Sequence, residues 1–273
     1  MYSIQQLLKG LRNPELAIEE VIRQTGKVHP VFSSLGKPII QSLARRNHPT
    51  DFDEFKHPPD PFARIYVDPS SIEEFTGREW PPWRNKTEML GKVCDGDWDR
   101  TDPTFCEKYG EECRPIYELF RSGSFSETPF YESLYAHFVH GVDWKETQFV
   151  RRCLELAEKD LPSWKGYTSR EDILNHCKKV DELYETIRED GYKSQLELNR
   201  YYDPKSAAKE VTVDIGRGGE LLFVNARHRL TIAKILELEE IPVGVLVRHK
   251  KWMEQRDRCH AKGEYSDHPD FQA

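Results

Sequence analysis

The sequence predicts an α+β fold built on a mixed sheet, and three patterns in its second half support that prediction. Apolar residues spaced three and four apart follow Ser169, which indicates a helix that ends at Gly191. Apolar and polar residues alternate over 211–215, and a glycine-rich turn leads into an apolar run over 221–224, as is typical of a hairpin. A second helix then separates this hairpin from a final strand over 241–247. Helices and strands in this order favour a sheet with flanking helices.

The first half of the chain gives weaker signals. Residues 1–62 are predicted as an N-terminal helix followed by a proline-containing segment that wraps the body of the protein. Residues 63–67 indicate a short first strand. Ser70 and Glu73 indicate a helix start, because the serine can cap the helix while the glutamate bonds back to it. Residues 115–160 are predicted to be helical.

Three short segments complete the predicted elements of the second half. Residues 194–198 are strand-like. Residues 228–238 are predicted as a helix that is apolar on most sides and is therefore buried against the sheet. The basic run over 248–251 is predicted as a solvated helix start, with contact to a polyanion as the alternative.

Composition indicates a soluble, cytoplasmic protein. The 273 residues are 37% hydrophobic and 32% charged, and no apolar run is long enough to span a membrane. The first residues lack the continuous apolar core of a signal peptide. Six cysteines occur without a CxxC pair, which argues against a zinc site or a disulfide framework. His137, His140 and Asp143 do not have a recognised zinc spacing either, so no metal site is predicted.

The charge distribution limits the role of nucleic acids. A net charge of −7 argues against broad, sequence-independent binding, which depends on many phosphate contacts. Basic residues are nevertheless concentrated between Arg227 and Lys262, so we expect a local basic face, and contact with a nucleic acid stays open. The residues between these two are Arg229, Lys234, Arg248, Lys250, Lys251, Arg256 and Arg258.

The most informative motif is Arg227–His228–Arg229, which lies where the second strand of the hairpin turns into a helix. A helix start exposes unpaired backbone N–H groups and the positive end of the helix dipole, and therefore favours an anion. Two arginines and a histidine at that point make a phosphate the first ligand to consider. The alternative is that these side chains pair with acidic neighbours such as Glu220 or Asp214.

The order of these elements, with these residues, resembles the ParB/sulfiredoxin superfamily. In that family a helix and a glycine-containing turn lead to a strand, a hairpin and a Gly-x-His/Arg-Arg motif that opens a helix, and an Ile-Pro-Val strand closes the unit. The matching segments here are residues 183–191, 195–196, 220–224, 226–229 and 238–243. Residues 65–72 are similar to the first strand of the family and the turn after it.

The resemblance implies a domain organisation. Residues 63–255 would form the ParB/sulfiredoxin-like domain, with a large, mainly helical insertion at about 78–168. Residues 1–62 would precede this domain, and residues 256–273 would follow it as a C-terminal tail. The match is closest over residues 180–248 and does not extend to the insertion.

The resemblance also implies a ligand. Members of the superfamily bind nucleotides or act on phosphates: CTP in partition proteins, ATP in sulfiredoxins and a nucleotide donor in free serine kinases. A nucleoside triphosphate, ATP or CTP, with or without Mg²⁺, is therefore expected here. Carried over by position, Arg227, His228 and Arg229 surround a phosphate, and Thr231 is near enough in sequence to help.

Several positions depart from the family pattern. The glycine and glutamine that flank the nucleotide correspond to the segment from Gly191 to Gln195, but the spacing is one residue longer than in partition proteins. Either Ser194 or Gln195 therefore occupies the glutamine position. Ala226 replaces the usual glycine of the motif, and Asn225 stands where kinase-like members have aspartate. The cysteine of the sulfiredoxin motif is absent, which excludes repair of a sulfinic acid.

Two functions follow from these residues. The first is an enzyme, a small-molecule kinase or an NTPase, in which Asp68 or Glu73 activates the acceptor or water. For these two carboxylates, a solvated turn and helix start is the alternative. The second function is a non-catalytic module that senses a nucleotide or binds a nucleic acid, which Asn225 and Ala226 favour because they remove a carboxylate and a glycine. The oligomeric state stays open.

Overall fold

The fold is described from a computed structural model, which covers residues 41–79, 81–100, 119–121, 123–199, 203–264 and 267–273. The predictions for residues 1–40 and 115–118 lie outside these described residues. In the segment expected to wrap the body, residues 41–46 are helical and residues 47–62 are mostly turns and bends.

Six strands and seven α-helices lie entirely within the described residues. The strands are β1 (Arg64–Val67), β2 (Glu74–Phe75), β3 (Lys92–Cys94), β4 (Val211–Ile215), β5 (Leu221–Asn225) and β6 (Ile241–His249). The α-helices are α1 (Lys86–Met89), α2 (Pro129–His140), α3 (Gln148–Ala157), α4 (Arg170–Asp190), α5 (Gln195–Leu198), α6 (Arg227–Ile235) and α7 (Lys250–Lys262). Short 3-10 helices lie at Pro69–Ser71, Phe125–Glu127, Trp144–Glu146, Trp164–Gly166, Pro204–Lys209 and Pro269–Gln272.

The described strands form one mixed sheet, in which β6 pairs with three other strands. Strand β6 pairs with β1 (antiparallel) and β3 (parallel) along one edge, and with β4 (parallel) along the other. Strand β4 forms the hairpin with β5, and β5 pairs in parallel with the short β2. The order is β1-β6-β4-β5-β2, with β3 off this path. A mixed sheet with flanking helices is the α+β architecture that the sequence predicts.

Helix α6 lies against two hydrophobic cores. Leu230 and Ala233 pack into the core of the sheet, and Ile235 contacts the core formed by the helices of the insertion. A further hydrophobic cluster, on β5 and β6, packs against the 3-10 helix Pro204–Lys209, which precedes β4. A Cβ at Gly244 would lie 2.0 Å from the backbone oxygen of Ala207, so this close crossing requires glycine. These contacts fix the start of α6 between the sheet and the insertion.

Two local predictions are wrong. The segment predicted as a strand over 194–198 contains helix α5, because Ser194 and Glu197 form a reciprocal capping box. The helix start predicted at Ser70 is a 3-10 turn instead. Asp68 caps this turn, and the chain then extends into β2, where it pairs with β5.

Parts of the predicted insertion and of the predicted C-terminal tail pack with the sheet. The insertion contributes β3 to the sheet as well as helices α1 to α3. Helix α7 continues across residue 255, and the tail beyond it buries Phe271 in the core of the sheet. Every helix among the described residues is too short or too polar to cross a membrane.

Buried ion pairs attach the C-terminal tail. We name Arg248, Trp252, Arg256 and Asp270 the C-terminal network. The guanidinium of Arg248 donates to both carboxylate oxygens of Asp270, and Trp252 Nε1 donates to Asp270 Oδ2 at 2.9 Å. Burial raises the pKa of Asp270, but the arginines outweigh it and hold the pKa below its ordinary value. Because Arg248 and Arg256 are buried here, they do not belong to the basic face that the sequence predicts.

Candidate functional site

The start of α6 is built around an unusual backbone conformation. Strand β5 ends at Asn225, and Ala226 then adopts left-handed dihedral angles, φ 71° and ψ 43°. A side chain with Cβ is disfavoured there by about 1 kcal/mol, which explains why glycine suits this position. No described side chain caps the helix that begins at Arg227. The first backbone N–H groups of α6 are therefore available to a ligand.

The side chain of Arg227 has no carboxylate partner among the described residues. Its guanidinium lies 4.1 Å from the centre of the Phe120 ring, and Nη1 donates to the Phe120 backbone oxygen at 3.2 Å. Burial among the rings, and the neighbouring charge of Arg121, lower the pKa of Arg227 from its ordinary value. This half-buried cation is therefore not neutralised by the described part of the protein.

His228 points into a cluster of rings supplied by the insertion. Its ring stacks on Trp164 at 5.3 Å and meets Phe130 and His176 edge-on at 5.1 and 5.4 Å. Its Nε2 atom is buried without a hydrogen-bond partner in the described part of the chain. Burial lowers the pKa of His228 well below its ordinary value, and the nearby His176 and two cations add to this effect. The imidazole is therefore neutral.

Arg229 points away from both of these side chains. Its guanidinium covers the Tyr192 ring at 4.2 Å, Nε donates to the Tyr192 hydroxyl at 3.0 Å, and Nη2 donates to the Lys193 backbone oxygen. The structure thus directs the three side chains of the motif to three different neighbours. Arg229 attaches the turn after α4 to the start of α6, while Arg227 and His228 face the insertion.

Glu210 joins this turn to the sheet, and sequence reasoning missed it. Its Oε1 accepts hydrogen bonds from Gln195 N at 2.7 Å and from Arg64 Nε at 2.9 Å. The side chain is fully buried, and its Oε2 has no partner among the described residues. Burial raises the pKa of Glu210, although Arg64 and Arg229 act in the opposite direction. The residues next to Glu210 in the sequence do not indicate this role, because its partners Arg64 and Gln195 lie 146 and 15 residues away along the chain.

The other predicted binding residues contact neighbouring parts of the fold. Ser194 caps α5, and its side chain is bonded to Glu197. Asn225 is the cross-strand partner of Thr212, and its amide has no hydrogen bond with a described residue. Thr231 is fully buried in α6, and its hydroxyl has no hydrogen-bond partner among the described residues. Asn225 therefore lies at the start of α6, whereas Thr231 lies inside the packed part of the helix.

The two predicted catalytic carboxylates lie together in a separate cleft, with a volume of about 360 Å³. Asp68 accepts a hydrogen bond from Ser70 N at 2.7 Å. Glu73 accepts bonds from Lys234 Nζ at 2.6 Å and from both the hydroxyl and the backbone N–H of Ser126. Partial burial raises the pKa of Glu73, but these hydrogen bonds outweigh it and the pKa is lowered. Both oxygens of Glu73 are thus occupied by protein groups.

This cleft does not include the Arg227–His228–Arg229 motif. Lys234, which lines the cleft, stands seven residues after Arg227 on α6. Seven residues of helix span about 10 Å, so the carboxylates and the motif lie towards opposite ends of α6. The structure does not bring them to one point.

The pairing proposed as an alternative for the motif does not occur. Asp214 binds Arg78 instead, at 2.6 Å, and Glu220 accepts a hydrogen bond from Gly218 N. His137, named above with two other residues, bonds to the Val142 backbone oxygen and lies 3.2 Å from Asp181. No group of metal-binding side chains occurs within the described ranges.

Comparison with known proteins gives no further guidance. No family model, no curated protein and no solved structure matches the chain. Its function is therefore inferred from the chemistry of the residues at the start of α6.

Proposed function

We propose that the chain binds the phosphate groups of a nucleotide, ATP or CTP, at the start of α6. The observation that supports this most directly is Arg227, a half-buried guanidinium that forms no ion pair with a described carboxylate. A partly desolvated cation at the positive end of a helix is stabilised when an anion binds there. Guanidinium donors also match the geometry of phosphate oxygens.

The resemblance to the ParB/sulfiredoxin superfamily supports the same site by a separate route. Ala226 has a left-handed backbone at the position where the motif of that family has glycine. The hairpin of β4 and β5, helix α6 and strand β6 follow in the order that the family shows. We therefore propose a ParB/sulfiredoxin-like domain, to which Mg²⁺ binds only together with the triphosphate.

Binding without phosphoryl transfer has more support than a kinase or NTPase activity. Glu73 is already bonded to Lys234 and Ser126, so it is a poor base for an acceptor hydroxyl or water. Asn225 has no carboxylate to supply at the start of α6. We therefore propose a nucleotide-sensing module. Phosphoryl transfer is the second candidate, because Asp68 and Glu73 share a cleft beside the other end of α6.

The experiment is a titration of the purified chain with ATP, ADP, CTP and GTP, with and without Mg²⁺, together with an assay of phosphate release. We expect Arg227→Ala to weaken binding by about tenfold or more, since a charged hydrogen bond is lost. The matched control is Arg152→Ala, which removes an exposed arginine that pairs with Glu155 on α3. This control should bind as the wild type does.

Each outcome separates the candidates. Binding that depends on Arg227 without phosphate release supports the sensing module. Phosphate release that is lost in Asp68→Ala or Glu73→Ala supports the enzyme. If a single-stranded oligonucleotide binds more tightly than every mononucleotide, a nucleic acid is the ligand. Absence of binding to all of these, or equal binding in Arg227→Ala and wild type, contradicts the proposed site.

A further inference from the structure

Two histidines with unpaired ring nitrogens meet behind the start of α6. We name Phe130, Trp164, His176 and His228 the histidine pocket. Trp164 meets His176 edge-on at 4.2 Å and stacks on His228 at 5.3 Å, and the centres of the two imidazoles are 5.4 Å apart. His176 is only 7% exposed. The Nε2 atoms of both histidines are buried without a partner among the described residues.

Such atoms are uncommon in folded proteins. A buried polar atom without a partner loses its hydrogen bond to water and gains nothing in return. One instance can be accommodated by local packing, but here two lie in the same pocket and one of them belongs to the Arg227–His228–Arg229 motif. An unpaired group next to a proposed binding site indicates that a ligand group completes it.

The charges around the pocket have one sign. Arg227 of α6, Lys165 of the 3-10 helix Trp164–Gly166 and Lys179 of α4 are the charged groups that act on the two imidazoles. Phe130 of α2 meets the His228 ring edge-on, and Phe149 of α3 packs against Phe130 and Trp164. None of these three cations forms an ion pair with a described residue. Lys165 and Lys179 are exposed to solvent, so the half-buried Arg227 is the cation whose counter-charge, missing among the described residues, a ligand can supply.

We propose that the anion site at the start of α6 extends into the histidine pocket, where a phosphate group of the ligand binds and one proton is taken up by His176 and His228. This inference rests on the proposed function. The proton comes from solvent and adds to one Nε2 atom, which then becomes a donor to the phosphate or to the other imidazole. No covalent bond forms or breaks. The ligand class is a phosphate group that is doubly charged near neutral pH, such as the terminal phosphate of a nucleotide.

The free protein holds the pair neutral. Burial lowers the pKa of His176 to about 4, and Lys165 and Lys179 act in the same direction. A phosphate offsets these cations and so favours the charged imidazole. By linkage, the affinity then rises as the pH falls, by up to about tenfold per pH unit for one proton, down to about pH 6, where the free phosphate takes up a proton itself.

The test is calorimetric titration of the whole chain with ATP, and separately with inorganic pyrophosphate, near neutral pH. Buffers with different ionisation enthalpies report the number of protons taken up. We expect about one proton for the wild type, and less than half of this for His176→Phe, which keeps a ring in the pocket. The matched control is His140→Phe, an exposed histidine on α2, which should keep the wild-type proton uptake.

A second measurement needs no variant. The ¹⁵N signals of the imidazole nitrogens of the wild type should change from the neutral to the protonated pattern at His176 or His228 when the ligand is added. Binding that depends on Arg227 but takes up no proton, with unchanged imidazole signals, overturns the subsite and leaves the proposed function intact. Absence of binding for both ATP and pyrophosphate overturns both proposals.

Discussion

Two clusters of basic side chains, close in sequence, have opposite electrostatic surroundings. In the C-terminal network, Arg248 and Arg256 share the buried carboxylate of Asp270. At the start of α6, the partners of Arg227 among the described residues are aromatic rings and a backbone oxygen, and no described carboxylate forms an ion pair with it. The buried positive charges are therefore neutralised by a carboxylate in the first cluster, whereas the charge of Arg227 in the second has no counter-charge among the described residues.

This difference separates structural from functional arginines. A buried pair with good geometry is expected to hold the tail in place and to have little effect on ligands. An uncompensated cation at a helix start is expected to affect ligand binding more than folding. The sequence alone places both clusters in one basic run, and only the carboxylate that reaches one of them distinguishes their roles.

The largest predicted effect is on stability, from Asp270→Ala. Removal of the carboxylate leaves Arg248 buried without a counter-charge, so we expect a loss of about 3–5 kcal/mol in the free energy of unfolding. Denaturant unfolding measures this, and Asp267→Ala, an exposed aspartate nearby, should change it by less than about 0.5 kcal/mol. A loss below about 1 kcal/mol for Asp270→Ala would mean that the network is not what holds the tail.

The second effect is the pH dependence of stability. His176 has a folded pKa of about 4, whereas in the unfolded chain its pKa is about 6.5. Between these values the unfolded chain binds a proton that the folded protein does not, so stability falls as the pH drops from about 6.5 to about 4, by about 3 kcal/mol at most. Urea unfolding across this range should show a smaller decrease for His176→Phe than for the wild type. Equal decreases in the two proteins would contradict the neutral, buried imidazole.

A third, smaller effect is expected from Ala226→Gly. Because Ala226 has a left-handed backbone, glycine should relieve strain and stabilise the protein by about 1 kcal/mol. Thermal or denaturant unfolding measures the change. Ala261→Gly in α7, where the backbone is helical, is the matched control and should destabilise by a similar amount. Destabilisation by both substitutions would show that position 226 is not strained.

The smallest effect is expected at the surface. Arg152 and Glu155 form an exposed pair at 2.8 Å on α3. Arg152→Ala should change the free energy of unfolding by about 0.5 kcal/mol or less, because exposed ion pairs contribute little. Chemical denaturation checks this value. A larger loss in the free energy of unfolding would mean that even an exposed arginine pair stabilises this protein, so exposure would not distinguish structural arginines from the others.

The sequence predicts the elements whose signals are local. Helix α4, the hairpin of β4 and β5 and strand β6 are correctly predicted, because apolar spacing and glycine positions define them within a few residues. Helix α5 is not predicted, because apolar alternation over 194–198 favours a strand, although Ser194 followed three residues later by Glu197 is a capping signal. Strand β3 is only three residues long and gives almost no periodic signal.

The site is predicted less completely than the fold. Arg227 and His228 follow from the motif, but His176 and Glu210 do not, because their surroundings depend on contacts with distant parts of the chain. The pairing of Arg248 with Asp270 joins residues 22 apart and equally has no local signal. Sequence patterns identify which side chains are charged, whereas the fold decides which charges are neutralised.

The central claim, that a phosphate binds at the start of α6, is tested most directly by mapping ligand contacts on the backbone. In a ¹⁵N–¹H correlation spectrum of the whole chain titrated with ATP, we predict the largest shifts at the amide groups of Arg227 and His228. Shifts centred on Asp68 and Glu73, or on the exposed lysines at the start of α7, would contradict the claim. So would a spectrum that ATP leaves unchanged.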